Sequence, residues 1–163
     1  MKPGIRVETA DKTDIPALIE LLTLLFSIEQ DFHPDSEKQR RGLECLLDRP
    51  ENGIVFVARD MGGNGDDSGG RSSKSAIGMV SAQLVISTAS GAPSAWIEDV
   101  VLKPEYRKMG IGRQLLAAAA AWSRQKGARR LQLLADADNA PALKFYERLH
   151  WQPTRLFAWR TFI

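Results

Sequence analysis

The stretch Arg107-Lys-Met-Gly-Ile-Gly112 has the residue types and spacing of an anion-binding turn. It lies between an apolar run that ends at Leu102 and an Ala/Leu-rich run that begins near Arg113. Glycines permit positive φ angles and a close approach of the main chain to a ligand, and the first turn of a helix carries unpaired N–H groups with partial positive charge. The sequence therefore predicts that main-chain amides of this turn bind a diphosphate.

Two better-known phosphate-binding turns do not match this stretch. A P-loop requires G-x-x-x-x-G-K-[ST], and the dinucleotide-binding turn requires a third small residue at the position that Leu115 occupies. What remains is an apolar strand over 95–102, a Pro-Glu-Tyr turn, R-x-x-G-x-G and a helix from Arg113 onward. A second block, Asn139-Ala-Pro-Ala-Leu-Lys-Phe-Tyr-Glu-Arg148, begins with a residue type that caps helices and has Pro in the first turn.

These two blocks, in this order and separated by one helix and one strand, resemble the GNAT superfamily of N-acetyltransferases. The first resembles the acetyl-coenzyme A signature of the superfamily, and the second resembles its later N-x-x-(A/S)-x-x-(F/L)-Y-E/K helix. Within the superfamily, the runs I-E-D-V-V-L and N-A-P-A-L-K-F-Y-E are most similar to diamine and hexosamine-phosphate acetyltransferases. The similarity extends from about residue 5 to residue 160 and is strong only from 95 to 151.

The resemblance implies a cosubstrate, a reaction and a set of site residues. Acetyl-coenzyme A would donate its acetyl group directly to a primary amine in a ternary complex. Glu98 aligns with the glutamate that contacts the amine in diamine acetyltransferases, and Tyr146 aligns with the general acid that protonates the leaving thiolate. The implied cofactor-binding residues are Val100, Val101, Leu102, Arg107, Lys108, Met109, Gly110, Ile111, Gly112, Arg113 and Asn139.

The chemistry of amine acetylation explains why a carboxylate is expected at this position. An alkylamine with a pKa near 10.4 is almost fully protonated at pH 7, so a base or a desolvating pocket must help to remove its proton. Adjacent residues of a strand face opposite sides of the sheet, so only one of Glu98 and Asp99 can point into a cleft without a β-bulge. We predict that this residue is Glu98. The alternatives are a surface pair of carboxylates and, for Tyr146, an interior tyrosine packed with Phe145 and Leu149.

The acceptor is less well defined by the sequence. The N-terminal helices usually form the acceptor pocket in this superfamily, and Glu29 and Asp31 are candidates to bind a cation there. Acidic side chains would favour a polyamine-like acceptor, whereas a hexosamine phosphate would require a basic pocket. Ribosomal-protein acetyltransferases have a glutamate base where this chain has Leu134. A protein lysine or N-terminal amine, or a non-catalytic acyl-coenzyme A-binding module, are the alternative functions.

Composition narrows the class of protein. The 163 residues are 44% apolar, which suits one compact domain. The resemblance implies that it is a single N-acetyltransferase domain over residues 1–163. A formal charge of +2 gives no reason to expect nucleic acid or an anionic membrane as a partner, and no segment is typical of a membrane span or signal peptide. We expect a cytoplasmic protein without a metal, since Cys45 is a single cysteine and no zinc-ligand spacing is present. The resemblance makes a homodimer plausible.

Periodicity and turn residues predict an α/β fold with a mixed sheet. The resemblance to the GNAT fold implies six or seven strands that splay apart between strands 4 and 5, flanked by four helices. A Gly/Ser/Asp-rich segment over 61–75 is expected to be a flexible hairpin tip, and its single G-G-x-G-x-D copy does not indicate calcium binding. The expected strands are 5–9, 54–59, 76–88, 95–102, 130–135 and 154–163. The expected helices are 15–26 with Thr13 or Asp14 as its cap, one that follows a Ser36 cap and ends near residue 47, 113–125 before a stop at Gly127, and one from 139.

Overall fold

The structure is a computed structural model of the chain, and it describes residues 4–29, 31–62 and 76–163. Residues 63–75 of the predicted hairpin tip, with most of its G-G-x-G-x-D run, lie outside these ranges. The chain divides into two compact units, Met1–Gln132 and Leu133–Ile163, each of which is treated by itself. The division leaves the single N-acetyltransferase domain a prediction. No helix within the described ranges combines the length and apolar character needed to cross a membrane.

Five strands and four helices follow the predicted order along the chain. Their bounds agree with the predicted ones to within a few residues, and the first helix agrees at both ends. Two short 3₁₀ turns, Lys12–Asp14 and Pro104–Tyr106, precede α1 and α3. The elements are β1 (Ile5–Thr9), α1 (Ile15–Phe26), α2 (Ser36–Leu47), β2 (Gly53–Asp60), β3 (Ala76–Ser87), β4 (Ala92–Leu102), α3 (Ile111–Gln125), β5 (Arg130–Leu133) and α4 (Ala140–Arg148).

The five strands form one mixed sheet in the order β1-β2-β3-β4-β5. The first four are antiparallel neighbours, and β5 runs parallel to β4. At the start of this parallel pair, Arg129 N donates to Pro93 O at 3.0 Å and Ser94 Oγ donates to Arg130 O at 3.3 Å. The predicted α/β fold with a mixed sheet is therefore confirmed. At its beginning, β4 is hydrogen-bonded on both sides, to β3 and to the start of β5.

The predicted final strand over 154–163 is wrong, so the sheet has five strands in the described residues and not six or seven. The segment has no strand pairing, and Thr154 Oγ1 instead accepts a hydrogen bond from Leu156 N at 3.3 Å. Its large side chains are exposed, with Trp159 at 94% and Phe162 at 85% of full exposure. A run of apolar and aromatic residues alone does not make a strand, because the ladder requires a neighbouring strand of matching register.

The core of the first unit lies between α1 and the sheet. Leu18 and Leu21 of α1 are fully buried against a cluster that includes Val55, Val57 and Met79 of the central strands. On α3, the buried positions recur at helical spacing and include Ile111, Leu115, Ala119 and Trp122. Gly127 ends this helix as predicted, because its φ of +81° is a conformation that glycine adopts without strain.

A buried ion cluster connects the edge of the sheet to the start of α1. Arg59 of β2 is 6% exposed and contacts Glu8 Oε1 and Asp14 Oδ1, each at 2.6 Å. Asp14 also accepts a hydrogen bond from Asp11 N at 3.0 Å, so it secures the 3₁₀ turn. Asp14, one of the two predicted caps of α1, does not cap that helix with its side chain. Each charge in this cluster therefore faces an opposite charge, which is how buried ions are tolerated.

Candidate active site

A β-bulge in β4 determines how the two candidate carboxylates are presented. Val100 pairs with Val80 and Ile97 pairs with Ala82, so two residues of β4, Glu98 and Asp99, lie opposite the single residue Ser81 of β3. An extra residue on one strand interrupts the alternation of side chains between the two faces. Both carboxylates can therefore contribute to one side of the sheet, which a regular strand would not allow.

The two carboxylates line the same cavity, which has a volume of about 930 Å³. Its other walls come from the end of α1, from α2 and the segment between these helices, and from the start of β2 and the adjoining ends of β3 and β4. Polar lining residues include Asp35, Gln39 and Arg49, and aromatic ones include Phe26 and Phe32. A cavity of this size with convergent polar groups has the dimensions of a small-molecule binding site.

Asp99 is the more shielded of the two carboxylates, and Glu98 is exposed. Ser81 Oγ donates a hydrogen bond to Asp99 Oδ2 at 2.6 Å and accepts one from Asp99 N at 3.1 Å. Burial raises the pKa of Asp99, the hydrogen bond from Ser81 lowers it and the Glu98 charge raises it, and together these effects place the pKa at about 6. A carboxylate that titrates near neutrality is suited to accept a proton from an amine.

The predicted anion-binding turn has the required backbone, with two corrections. Gly110 has a φ of +81°, and no atom lies within 4 Å of where a Cβ would be, so a ligand can approach the main chain. Gly112 does not supply a positive φ, because α3 begins at Ile111 rather than Arg113 and Gly112 is a buried residue of its first turn. Lys108, with a φ of 63°, makes the other left-handed turn.

The amides of this turn are available to a ligand. Gln114 N donates to Gly110 O at 3.3 Å, which is the first helical hydrogen bond of α3. Among the residues that the structure describes, no carbonyl or side chain accepts a hydrogen bond from the main-chain N–H groups of residues 108–113. The Arg107, Lys108 and Arg113 side chains are exposed around the turn, and Met109 is 46% exposed. The turn therefore presents main-chain donors and positive charge together, as anion sites at helix N-termini do.

Hydrogen bonds hold the turn against the sheet. Tyr106 Oη donates to Asp60 Oδ2 at 3.1 Å, which joins the 3₁₀ turn before the loop to the end of β2. This hydrogen bond is the main reason that the pKa of Tyr106 is raised. Arg107 Nε donates to Leu102 O at 3.3 Å, so the first residue of the loop is tied to the last residue of β4. The loop position is thus fixed relative to the strand that carries the carboxylates.

The C-terminal part of β4 has one free edge in the described sheet. Val100, Val101 and Leu102 pair with Val80, Met79 and Gly78 of β3. On the other side, β5 is four residues long and starts beside Ser94, so a parallel ladder ends near Ile97. Main-chain groups of residues 100–102 that point away from β3 are consequently not paired by β5. That the sheet opens beyond this point stays a prediction.

In the second unit, α4 holds Tyr146 in a fixed orientation. Asn139 Oδ1 accepts a hydrogen bond from Ala142 N at 3.2 Å, which confirms the predicted helix cap. The Tyr146 ring contacts the rings of Phe145 and Trp151, with centroid distances of 5.3 and 5.9 Å. These contacts agree with a half-buried tyrosine whose ring is packed. Its role as an acid stays a prediction, as does any contact of Asn139 with a cofactor.

The comparison with protein families decides what kind of protein this is. The sequence profile of the Acetyltransferase (GNAT) family matches residues 16–151, which is most of the chain. The chain belongs to the GNAT acetyltransferase family. The predicted family is therefore confirmed, whereas the closer similarity to diamine and hexosamine-phosphate enzymes is not.

Characterised relatives of this GNAT chain match it over shorter regions. A streptothricin acetyltransferase from Streptomyces lavendulae is 43% identical over 61 residues, which cover 34% of this chain and 32% of that protein. The aminoglycoside N(6')-acetyltransferase type 1 of Salmonella typhimurium is 26% identical over 82 residues, or 48% of this chain and 57% of that protein. The chain thus matches between a third and just over half of the length of these relatives.

Solved structures show that the fold is shared over nearly the whole chain. The aminoglycoside N-acetyltransferase AAC(6')-Iy, determined with coenzyme A, has a TM-score of 0.78 at 21% identity and covers 99% of this chain and 97% of its own. An aminoglycoside acetyltransferase from an uncultured soil metagenomic sample, determined with sisomicin, has a TM-score of 0.72 at 23% identity and covers 98% and 97%. At these identities the likeness establishes the GNAT fold alone.

The predicted acceptor residues differ from those that line the cavity. Glu29 and Asp31 lie beyond the end of α1, and neither is among the described residues that form the cavity wall. Asp35, which caps α2 through a 3.1 Å hydrogen bond from Lys38 N, and Gln39 line it instead. The sequence predicted Ser36 as the cap, one residue too late. A signal for Gln39 was present, because it precedes Leu43 by one helical turn on the apolar face of α2.

Proposed function

We propose that this GNAT protein is an acetyl-coenzyme A-dependent N-acetyltransferase that acetylates a primary amine of a small molecule. The observation that carries the proposal is the bulge that brings Glu98 and Asp99 to one cavity, three residues before the end of the strand that leads into the anion-binding turn. Three strand residues span about 10 Å, and the anion-binding turn begins at Arg107, shortly after the strand ends at Leu102. The amine-binding and phosphate-binding groups therefore lie on one continuous segment of the chain. A protein that only bound acyl-coenzyme A would not need the paired carboxylates.

The cosubstrate site is proposed from the main chain. The amides of residues 108–113 would bind the diphosphate of acetyl-coenzyme A, and the exposed Arg107 and Arg113 would add positive charge. The free edge of Val100 to Leu102 would pair with the amides of the pantetheine arm, as an added strand does. The N–H of Val100 is the candidate donor to the oxygen that becomes negative during acyl transfer.

The acceptor amine would enter as an ammonium ion and react as a neutral amine. We propose that exposed Glu98 contacts the ammonium group, and that the Glu98–Asp99 pair accepts the proton that the amine loses. The amine nitrogen then forms a bond to the thioester carbonyl carbon, and the carbon–sulfur bond breaks to release coenzyme A thiolate. Both carboxylates face one cavity, so their charges attract the cation before either one takes its proton.

Tyr146 is proposed as the acid that protonates the departing thiolate, because it occupies the position of the family's acid in the N-x-x-A-x-x-F-Y-E block. Its ring packing and the Asn139 cap support a fixed hydroxyl position. Tyr146→Phe is expected to lower turnover by about 10- to 1,000-fold while acetyl-coenzyme A affinity changes little. Equal turnover in the two proteins would remove Tyr146 from the mechanism.

The acceptor class is proposed from the cavity and the relatives together. Two relatives act on streptothricin and on aminoglycosides, which favours an amino-sugar-like or polyamine-like molecule with several amines. The acidic pair in the cavity supports a cationic acceptor of this kind. A peptide amine is the second candidate, because a putative ribosomal-protein alanine N-acetyltransferase of Bacillus subtilis is 37% identical over 59 residues, or 36% of this chain and 39% of that protein.

The test is an acceptor panel in which coenzyme A thiol release is measured with acetyl-coenzyme A present. The panel contains polyamines, amino sugars, aminoglycosides, streptothricin and alanine-initiated peptides, and mass spectrometry identifies the acetylated amine. Turnover that requires both substrates is expected for at least one small amine. A binding experiment by calorimetry runs in parallel. Acetyl-coenzyme A binding without acetylation of any amine would favour a non-catalytic module, and the absence of binding would overturn the proposal.

A further inference from the structure

Gln39 is a polar side chain whose amide is shielded and has no partner in the described part of the chain. The residue is 7% exposed and lines the cavity. Neither Oε1 nor Nε2 has a hydrogen-bond partner among the residues that the structure describes. Buried polar atoms are almost always paired, so an amide with two unused hydrogen-bonding atoms at a cavity wall requires an explanation.

Gly42 leaves an opening on the same face of α2. It is three residues after Gln39 and therefore lies next to it on the helix surface. No atom lies within 4 Å of the position where a Cβ would be, so packing does not require a glycine here. Glycine is unfavourable inside a helix, and this one also lines the cavity. Its effect is to keep space open on the part of α2 that also carries Gln39.

We propose that Gln39 and the opening beside Gly42 form a subsite for a hydroxyl group of the acceptor. The acceptor is then a hydroxylated amine of the amino-sugar type and not a plain aliphatic polyamine. This inference rests on the proposed function and narrows its acceptor class. An incoming hydroxyl would draw the amide toward the opening by rotation of its terminal torsion, which has a broad energy profile.

The chemistry of the amide favours a hydroxyl over a charged group. Oε1 accepts and Nε2 donates, and a hydroxyl group both donates and accepts. An ammonium group only donates, so it would leave Nε2 unsatisfied, and a phosphate or carboxylate at neutral pH only accepts. The amine of the same molecule would go to Glu98 and Asp99, which line the same cavity. A ligand that carries an amine and separate hydroxyl groups satisfies both parts of the wall.

The charges of the cavity wall agree with separate binding positions for the amine and the hydroxyl group. Lys38 Nζ lies 3.4 Å from Asp35 Oδ2, and Arg40 Nε lies 4.0 Å from Glu37 Oε1. The charges on either side of Gln39 in the sequence therefore largely offset one another. Of the other charged residues of the cavity wall, Glu98 and Asp99 are on β4 and Arg49 follows α2. The cation-binding and neutral hydrogen-bonding parts of the cavity are thus on different elements.

Gln39→Met tests the subsite, because methionine has a similar length and no hydrogen-bonding amide. The kcat/KM values of the wild type and the variant are compared for glucosamine and sisomicin, which carry hydroxyl groups, and for putrescine and spermidine, which do not. We expect the variant to lose about 10- to 100-fold with the hydroxylated amines and less than about 3-fold with the polyamines. Equal losses for both classes, no loss, or a wild-type preference for the polyamines would overturn the inference.

Gly42 provides a second variant that does not depend on the amide. Gly42→Leu should fill the opening and raise the KM of hydroxylated amines about 10-fold, with the KM of acetyl-coenzyme A unchanged within about 2-fold. Gly42→Ala adds a single methyl group and should have a smaller effect. An unchanged acceptor KM in Gly42→Leu would exclude this opening from the subsite.

A binding measurement separates failure of this inference from failure of the proposed function. Cys45 is exposed, lines the cavity and is the single cysteine of the 163-residue chain. Sisomicin should slow alkylation of Cys45 by iodoacetamide in the wild type, and Gln39→Met should weaken that protection about 10-fold in half-saturating concentration. If no amine is acetylated but protection behaves this way, the subsite stands and the proposed function fails. Protection that is absent or equal in the two proteins overturns the subsite.

Discussion

Two groups of shielded polar side chains in the first unit differ in whether their partners are inside the protein. Arg59 contacts Glu8 and Asp14, each at 2.6 Å, so that its charge is met by opposite charges. At the cavity, Asp99 is held by a neutral hydroxyl and is adjacent to another carboxylate, and the Gln39 amide has no partner in the described ranges. The first arrangement stabilises the fold. The second reduces stability and leaves polar groups available to a ligand.

The largest expected effect comes from breaking the satisfied cluster. Arg59→Met would leave Asp14, which is 7% exposed, without its opposite charge. Loss of one partner of a buried ion pair lowers the free energy of unfolding by about 3–5 kcal/mol. Urea unfolding at neutral pH, followed by circular dichroism, measures this loss.

Arg6→Met is the matched control, because Arg6 contacts the same Glu8 at 3.4 Å from an exposed position. An exposed ion pair contributes little, so a change within about 1 kcal/mol is expected. If Arg59→Met were no more destabilising than Arg6→Met, the buried cluster would not be a stabilising element.

The next effect concerns Asp99 and activity. Asp99→Asn keeps the shape and can still accept the Ser81 hydrogen bond, but it cannot take a proton. If the carboxylate pair accepts the amine proton through Asp99, turnover should fall about 100-fold or more. The wild type should lose turnover as the pH drops through about 6, where Asp99 becomes protonated, and the variant should lack this decline. A variant with wild-type turnover and the same pH profile would exclude Asp99.

The same pKa makes a prediction about stability. The pKa of Asp99 is about 6 in the folded protein, above the value near 3.9 of an unfolded aspartate. The folded state therefore binds this proton more tightly, and the contribution of Asp99 to the free energy of unfolding falls as the pH rises from about 4 to about 6. Asp99→Asn should remove this fall. Urea unfolding of both proteins at pH values across that window measures it.

Neighbouring variants distinguish Asp99 from Glu98 as the base. The Ser81 hydrogen bond lowers the pKa of Asp99 and the Glu98 charge raises it. Ser81→Ala should therefore shift the acidic decline in turnover to higher pH, and Glu98→Gln should shift it to lower pH. If Glu98 is the base, as the sequence predicted, Glu98→Gln would abolish the decline instead of moving it. Turnover between pH 4.5 and 8, measured with one amine, gives the answer.

Local signals in the sequence were sufficient for most of the fold. The spacing of apolar residues predicted α1 at both ends, and Gly127 ended α3, because these features depend on residues within one or two turns. The final strand was wrong since its existence depends on a distant partner. The family profile confirmed the acetyltransferase family that the two motif blocks indicated.

The site was harder to predict than the fold. The turn after Arg107 could be recognised because glycine positions and a helix start are encoded locally. The bulge at Glu98 and Asp99 depends on the register between β4 and Ser81 of β3, about which the β4 sequence contains no information. Gln39 was not predicted as a site residue. The sequence shows a polar residue on an apolar helix face, but only the structure shows that its amide has no partner in the described residues.

A smaller effect is expected when the unsatisfied amide is removed. Gln39→Met replaces two unpaired polar atoms with an apolar group of similar length, so it should raise the free energy of unfolding by about 1 kcal/mol. This is the reverse of the expected result at Arg59, although both side chains are shielded. Urea unfolding without ligand measures the change. A loss of stability in Gln39→Met would mean that the amide is satisfied in solution, and the contrast between the two groups would disappear.

The smallest effect tests whether the glycine that keeps the cavity open, Gly42, makes α2 less stable. Gly42→Ala adds a methyl group where no atom lies within 4 Å, and alanine is the better helix former, so the free energy of unfolding should rise by about 0.5–1 kcal/mol. The control is Gly110→Ala, where the φ of +81° makes any side chain unfavourable and a loss is expected. Opposite signs at the two glycines would show that Gly110 is required by the backbone. Helix stability would then not explain Gly42, since the helix is more stable with alanine. The need for open space for a ligand in the cavity would explain it.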